Sequence, residues 1–125
     1  MSEQTKVVAV RGAVQADQNS ADAILTATET LMSELISRNK LDPEHMISAI
    51  FTTTGDLDAE FPAVAARNMG LNEVPLMCAQ EIPVPGSMTR VIRVLLHMNA
   101  PVDFKPQHVY LGETRNLRSD LNAAQ

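Results

Sequence analysis

Residues 6–11 and 89–98 read as strands: apolar residues run unbroken from Val7 to Val10 and on either side of Arg93, and a period of two divides each stretch into two faces. In the first stretch Val7, Ala9 and Arg11 share one face. The strand is expected to end at Gly12-Ala13, so that Arg11 emerges at its tip beside a glycine that leaves room for a ligand. Residues 19–39 change to a helical period. Ile24, Thr28, Leu31 and Leu35 form the stripe, Leu25, Met32 and Ile36 widen it, Asn19 or Ser20 caps it, and Asn39-Lys40 ends it. Asp42-Pro43-Glu44 predicts a short helical turn.

A second strand follows over residues 46–53, with Ile47, Ala49 and Phe51 on one face, and Thr54-Gly55-Asp56 breaks it. Residues 62–69 read as a short helix closed by Gly70, with Phe61 at its entrance and Arg67 near its end. Residues 74–80 make a third strand. Pro83, Pro85 and Gly86 form a loop, residues 89–98 a fourth strand, and residues 107–111 a fifth with His108 and Tyr110 on one face. Residues 113–125 are a polar tail expected to be only partly ordered. The sum is one domain over residues 1–125 of α+β (or α/β) class, a five-stranded mixed sheet with one long helix and short ones. Several strands are apolar on both faces, yet one long helix covers one face only, which predicts an oligomer.

Composition narrows the function. With 125 residues and 45% hydrophobic content the chain can bury a core. No apolar run approaches the ~20 residues of a membrane helix, and the N-terminus has no signal-like stretch, so the expected location is the cytoplasm. Cys78 is the one cysteine and His45, His97 and His108 are scattered, so neither a disulfide nor a metal site is expected. A net charge of -5 argues against a nucleic-acid partner. Seven of the ten basic residues are arginine, and Arg11, Arg90, Arg93, Arg115 and Arg118 lie in or beside strand-like segments. Arginine suits bidentate capture of carboxylates, so a small anionic ligand fits this pattern.

The chemistry concentrates between Cys78 and Leu96. Alternation sends Ile92, Val94, Leu96 and Met98 to one face of the fourth strand and Val91, Arg93, Leu95 and His97 to the other. A guanidinium among aliphatics needs an anion. Two readings are open: a structural pair of Arg93 with Glu81 or another acid, or a site for an anionic ligand. Cys78 and Glu81 are three apart, so a regular strand points them to opposite faces. Either the strand ends at Gln80 or the two residues face different clefts.

Five motifs occur together along the chain: Arg11-Gly12-Ala13; Asp56-Leu57 with Phe61-Pro62-Ala63; Cys78-Ala79-Gln80-Glu81; Ile92-Arg93-Val94-Leu95; and His108-Val109-Tyr110-Leu111. In their order and approximate spacing, from Val7 to Leu121, the chain resembles the chorismate mutases of the trimeric, pseudo-α/β-barrel class. That resemblance implies a homotrimer with active sites between subunits, and the Claisen rearrangement of chorismate to prephenate on the way to phenylalanine and tyrosine. It implies that Arg11 and Tyr110 hold the enolpyruvyl carboxylate, Arg93 contacts the ether oxygen and Glu81 the ring hydroxyl, with Cys78 beside Glu81. Phe61 and Arg67 would come from the neighbouring subunit, and Leu117 and Arg118 would cover the mouth. No cofactor or metal is implied, and Cys78 is read as a packing and hydrogen-bonding residue. The chain departs from the family pattern at Val64, where lysine is frequent, at Ser119 in the tail motif, and at Val91, where a second cysteine is common.

Two other readings share the architecture. Trimeric enamine/imine deaminases also bind carboxylates with an arginine between subunits, but their arginine motif and C-terminal glutamate are not found here. A non-catalytic module binding a small anion would not need the combination of Arg11, Glu81, Arg93 and Tyr110.

Overall fold

A computed structural model describes residues 4–117, so the expected site residue Arg118 lies outside the described residues, as does Ser119. The strands are β1 (Thr5–Gln15), β2 (Met46–Thr53), β3 (Leu76–Gln80), β4 (Val91–Pro101) and β5 (Val109–Tyr110), with helices α1 (Ala21–Asn39) and α2 (Ala63–Asn68). They form one mixed sheet in the order β3-β2-β4-β1-β5. β4 lies in the middle, antiparallel to β1 and β2, while β3 runs parallel to β2 and β5 parallel to β1. The fold is the α+β arrangement that the alternation predicts.

One face of the sheet is the core. Val94 and Leu96 of β4, Val10 of β1 and Phe51 of β2 are buried there against Ile24, Leu31, Met32 and Leu35 of α1. Helix α1 starts where Ser20 Oγ accepts from Ala23 N at 3.1 Å, and stops where Lys40 turns left-handed (φ 51°). On the opposite face Val7 is 61% and Met77 58% exposed, and Ile50, Arg93, Leu95 and His97 are half-buried.

Several boundaries differ from the expectation, each for a long-range reason. β1 does not stop at Gly12 but runs on to Gln15, which leaves Arg11 in mid-strand. Gly12 faces the helix: a Cβ there would stand 2.6 Å from Val109 O and 2.8 Å from Leu31 Cδ1. The missing side chain therefore makes room for β5 and α1, and only the glycine's backbone borders the cleft beside Arg11. Ile47 is exposed because the β2–β4 register shifts between Met46 and Ser48, which takes it off the face of Ala49 and Phe51. β5 shrinks to two residues since Asn39, buried at the end of α1, takes the polar groups of Gln107. Its Oδ1 accepts from Gln107 N at 2.7 Å and its Nδ2 donates to Gln107 O at 2.9 Å. The start of the tail is packed: Gly112–Thr114 forms a 3-10 turn, and buried Thr114 donates to Leu111 O at 2.6 Å.

β4 begins only at Val91 because Arg90 adopts φ 54°. That turn is held by Asp56, whose Oδ1 and Oδ2 accept from Arg90 N at 3.1 and 3.0 Å while Oδ1 also takes the Thr54 hydroxyl at 2.5 Å. The Thr54 hydroxyl, ahead of the Arg90 N–H and against the opposing effect of burial, holds the Asp56 carboxyl below its ordinary 3.8.

Two expected outcomes test this packing. Gly12→Ala forces β5 or Leu31 to move and should lower stability by about 1–3 kcal/mol in urea unfolding. An unchanged midpoint would contradict the close approach. For Asp56 the sign is set by its depressed folded value: the unfolded carboxyl binds its proton first as pH falls. The stabilisation is therefore full above about 3.8 and lost as pH drops through the lower folded value. Asp56→Asn should lower the urea midpoint at pH 7, with the gap to wild type closing in acid. A gap independent of pH would show that the charge on Asp56 is idle.

Candidate active site

The site is assembled by register. Arg93 stands on the middle strand between Thr52 of β2 and Ala13 of β1, and Arg11 pairs with Leu95 one step along. Tyr110 pairs with Ala13 from β5. Strand alternation then turns Arg11, Thr52 and Arg93 to the open face, where with Ile50, Leu95 and Tyr110 they line a cleft of about 220 Å³. Arg11 is steadied through its backbone, whose N–H donates to His108 Nδ1 at 3.2 Å. The clamp of Asn39 on Gln107 fixes the segment that delivers Tyr110.

Glu81 enters from just beyond β3. Its N–H donates to Thr53 O at 2.9 Å, so the backbone stays on the β2 ladder for one residue more. Its carboxylate Oε2 accepts from Thr52 Oγ1 at 2.7 Å and lies 3.0 Å from Arg93 Nε. This is the Arg93–Glu81 pair that spacing alone left open. The contact is close but lies off the N–H direction, so Arg93 Nε is buried without a hydrogen-bond partner among the described residues. The two side chains remain 37% and 16% exposed. A cleft lined by two guanidiniums and a phenol, with the Glu81 carboxylate held at its edge through Thr52 and Arg93, suits a small anion that also carries a hydroxyl.

Other expected residues lie elsewhere in the chain. Cys78 is not beside Glu81: it pairs with Phe51 and packs on the core side, while Glu81 meets Thr52 and Arg93 on the open face. A spacing of three in a regular strand requires that separation. Cys78 instead lines a different cavity with Phe61, Pro62 and Gln80, and Phe61 is 65% exposed. Arg67 is exposed on α2, and Leu117 is half-buried outside the cleft lining. Thr52 and Asn39 were not among the expected site and scaffold residues. Alternation from Phe51 could have put Thr52 on the open face, but its meeting with Arg93 and Glu81 needs the register.

Larger hollows offer the wrong charge. One of about 380 Å³ at the start of α1 is lined by Asp17 and Asp22, and one of about 470 Å³ near Met46 by Glu44 and Glu73. Among the described residues neither has a cation in its lining to meet an anion. Among the described residues no group of three or more His, Cys, Asp or Glu side chains is placed to hold a metal ion. No described helix is long and apolar enough to cross a membrane.

Comparison with known proteins identifies the family. The family model for chorismate mutase type I matches residues 7–121. The chain is 44% identical over 119 residues to the chorismate mutase AroH of Thermus thermophilus, covering 93% of this chain and 97% of that one. It is 35% identical over 115 residues to the chorismate mutase AroH of Bacillus subtilis (strain 168), covering 90% and 91%. A solved chorismate mutase from Clostridium thermocellum superposes with a TM-score of 0.84 at 47% identity, over 87% of this chain and 98% of that one. With matches of this extent, the chain belongs to the chorismate mutase type I family.

Proposed function

We propose that the open-face cleft binds chorismate and converts it to prephenate by preorganised charge and restriction of the substrate's conformers. The chain is an isomerase, and the reaction is unimolecular: a carbon–oxygen bond breaks as a carbon–carbon bond forms through a chair-like arrangement. It needs neither nucleophile nor proton shuttle, and no metal or cofactor takes part in the bond changes. Two things accelerate it: holding the reactive conformer, and positive charge where the ether oxygen becomes partly anionic.

The observation that carries this reading is the convergence of Arg11, Arg93 and Tyr110 on one cleft with Glu81 oriented at its side. Arg11 and Tyr110 hold the enolpyruvyl carboxylate, Arg93 meets the ether oxygen, and Glu81 accepts from the ring hydroxyl. Arg93 is suited to its part because its buried Nε–H has no aligned acceptor among the described residues.

The working unit is a homotrimer. A cleft of about 220 Å³ is smaller than the ~300–1,000 Å³ of usual small-ligand sites, so a second chain is needed to enclose the substrate. The apolar open face of the sheet supplies the surface for closed association. Phe61, exposed on its loop, and Arg67 of the neighbouring subunit complete the wall, and Cys78, which shares a cavity with Phe61, arrives with them. Leu117 lies at the start of the segment that would close the mouth.

Purified protein should consume chorismate and yield prephenate at undiminished rate in EDTA, while showing no imine hydrolysis. Arg11→Ala should raise KM about tenfold or more with a smaller change in kcat, as it removes a carboxylate partner present in ground and transition states. Sedimentation should give a trimer at micromolar concentration. Absence of turnover would overturn the reading, and an active monomer would overturn the shared site.

A further inference from the structure

Thr52 lines the cleft and has no part in the proposed substrate contacts. A carboxylate 3.0 Å from a guanidinium ordinarily closes onto it with N–H and oxygen in line, often as a two-bond fork. Glu81 and Arg93 do not do so. Thr52 Oγ1 holds the same oxygen, Oε2, at 2.7 Å, and a carboxylate only accepts, so the hydroxyl must donate. Thr52 and Arg93 are register partners on β2 and β4, which sets hydroxyl and guanidinium side by side on one face. A β-branched side chain in a strand has few χ1 choices, so the hydroxyl is fixed in direction. The Glu81 backbone is tied to Thr53 O at 2.9 Å, so the carboxylate swings from a fixed root.

We infer that Thr52 is a positioning residue: its hydroxyl detains Glu81 Oε2 and so keeps the Arg93 Nε–H from being spent on an internal pair. This rests on the proposed role of Arg93 at the ether oxygen. The carboxylate stays near enough to offset the guanidinium's charge in the resting cleft. It is held away from the line along which that charge acts on substrate. Thr52 therefore works through Arg93 and Glu81. Its loss should weaken the transition state more than binding, because Arg11 and Tyr110 still hold the substrate's carboxylate on this reading.

Thr52→Val keeps the shape and removes the hydroxyl, whereas Thr52→Ser keeps the hydroxyl. Thr52→Val should lower kcat by roughly ten- to a hundredfold, the range of a hydrogen bond to a charged group, with KM within about twofold. Thr52→Ser should recover kcat to within about threefold of wild type. A second readout does not depend on turnover. In ¹⁵N-arginine-labelled protein the Arg93 Nε–H resonance should move downfield in Thr52→Val, as Glu81 closes in line, and stay near its wild-type position in Thr52→Ser. Wild-type kcat in Thr52→Val, equal losses in the Val and Ser variants, or an unmoved resonance in Thr52→Val would each overturn the inference. If wild type turned over no chorismate, the proposed function would fail by itself, and the resonance would still decide whether Thr52 governs the Arg93–Glu81 pair.

Discussion

Arg93 carries a full charge on the middle strand of a sheet whose surrounding surface is aliphatic, and Glu81 at 3.0 Å is what makes that placement tolerable. With both side chains partly exposed, the pair is worth little to stability: nearer the ~0–1 kcal/mol of a surface pair than the ~3–5 kcal/mol lost when a buried one is broken. The off-line geometry reduces it further. An arrangement that contributes so little to the fold, yet is held by a hydroxyl, a ladder hydrogen bond and two strand registers, prepares the cleft for a ligand on the proposed reading.

The scaffold around it works to keep that geometry. β4 is hydrogen-bonded on both sides, and its start is pinned by Asp56 and Thr54 at the Arg90 turn. On the far side Asn39 ties the end of α1 to the segment entering β5, and Gly12 lets β5 approach close enough to bring Tyr110 to the cleft. These contacts join residues distant in sequence and fix the strands that carry the site. The same sheet leaves its cleft face uncovered within the chain, which is why catalysis and assembly are coupled on the proposed reading.

What could be read from the sequence follows the range of the cause. The two faces of β4, the stripe of α1 and the span of β2 were legible because a period of two or 3.6 residues is a local signal. The opposed directions of Cys78 and Glu81 were legible too, from a spacing of three. The resemblance placed those two residues together, and within one chain the strand geometry prevails. Gly12 was misread because the atoms that require it, Val109 O and Leu31 Cδ1, belong to elements that reach it only after folding. The ends of β5 and β1 were missed for similar reasons: a side-chain clamp by Asn39 and a strand that continues through a glycine are not periodic features. Thr52 depends on the registers of β2 with both β3 and β4, which no single segment encodes.

The central claim is that fixed charge at Arg93, and not shape alone, drives the rearrangement. Replacing Arg93 by citrulline keeps the planar fork and most of its donors but removes the charge. Removing one preorganised donor elsewhere costs about 2.7–4 kcal/mol, and a full charge beside the breaking bond should cost at least that. Single-turnover measurement on the folded citrulline variant should therefore show chorismate bound with near-normal affinity and rearranged roughly a thousandfold or more slowly than by wild type. A citrulline variant turning over at close to the wild-type rate would contradict the account and leave conformer selection as the source of catalysis.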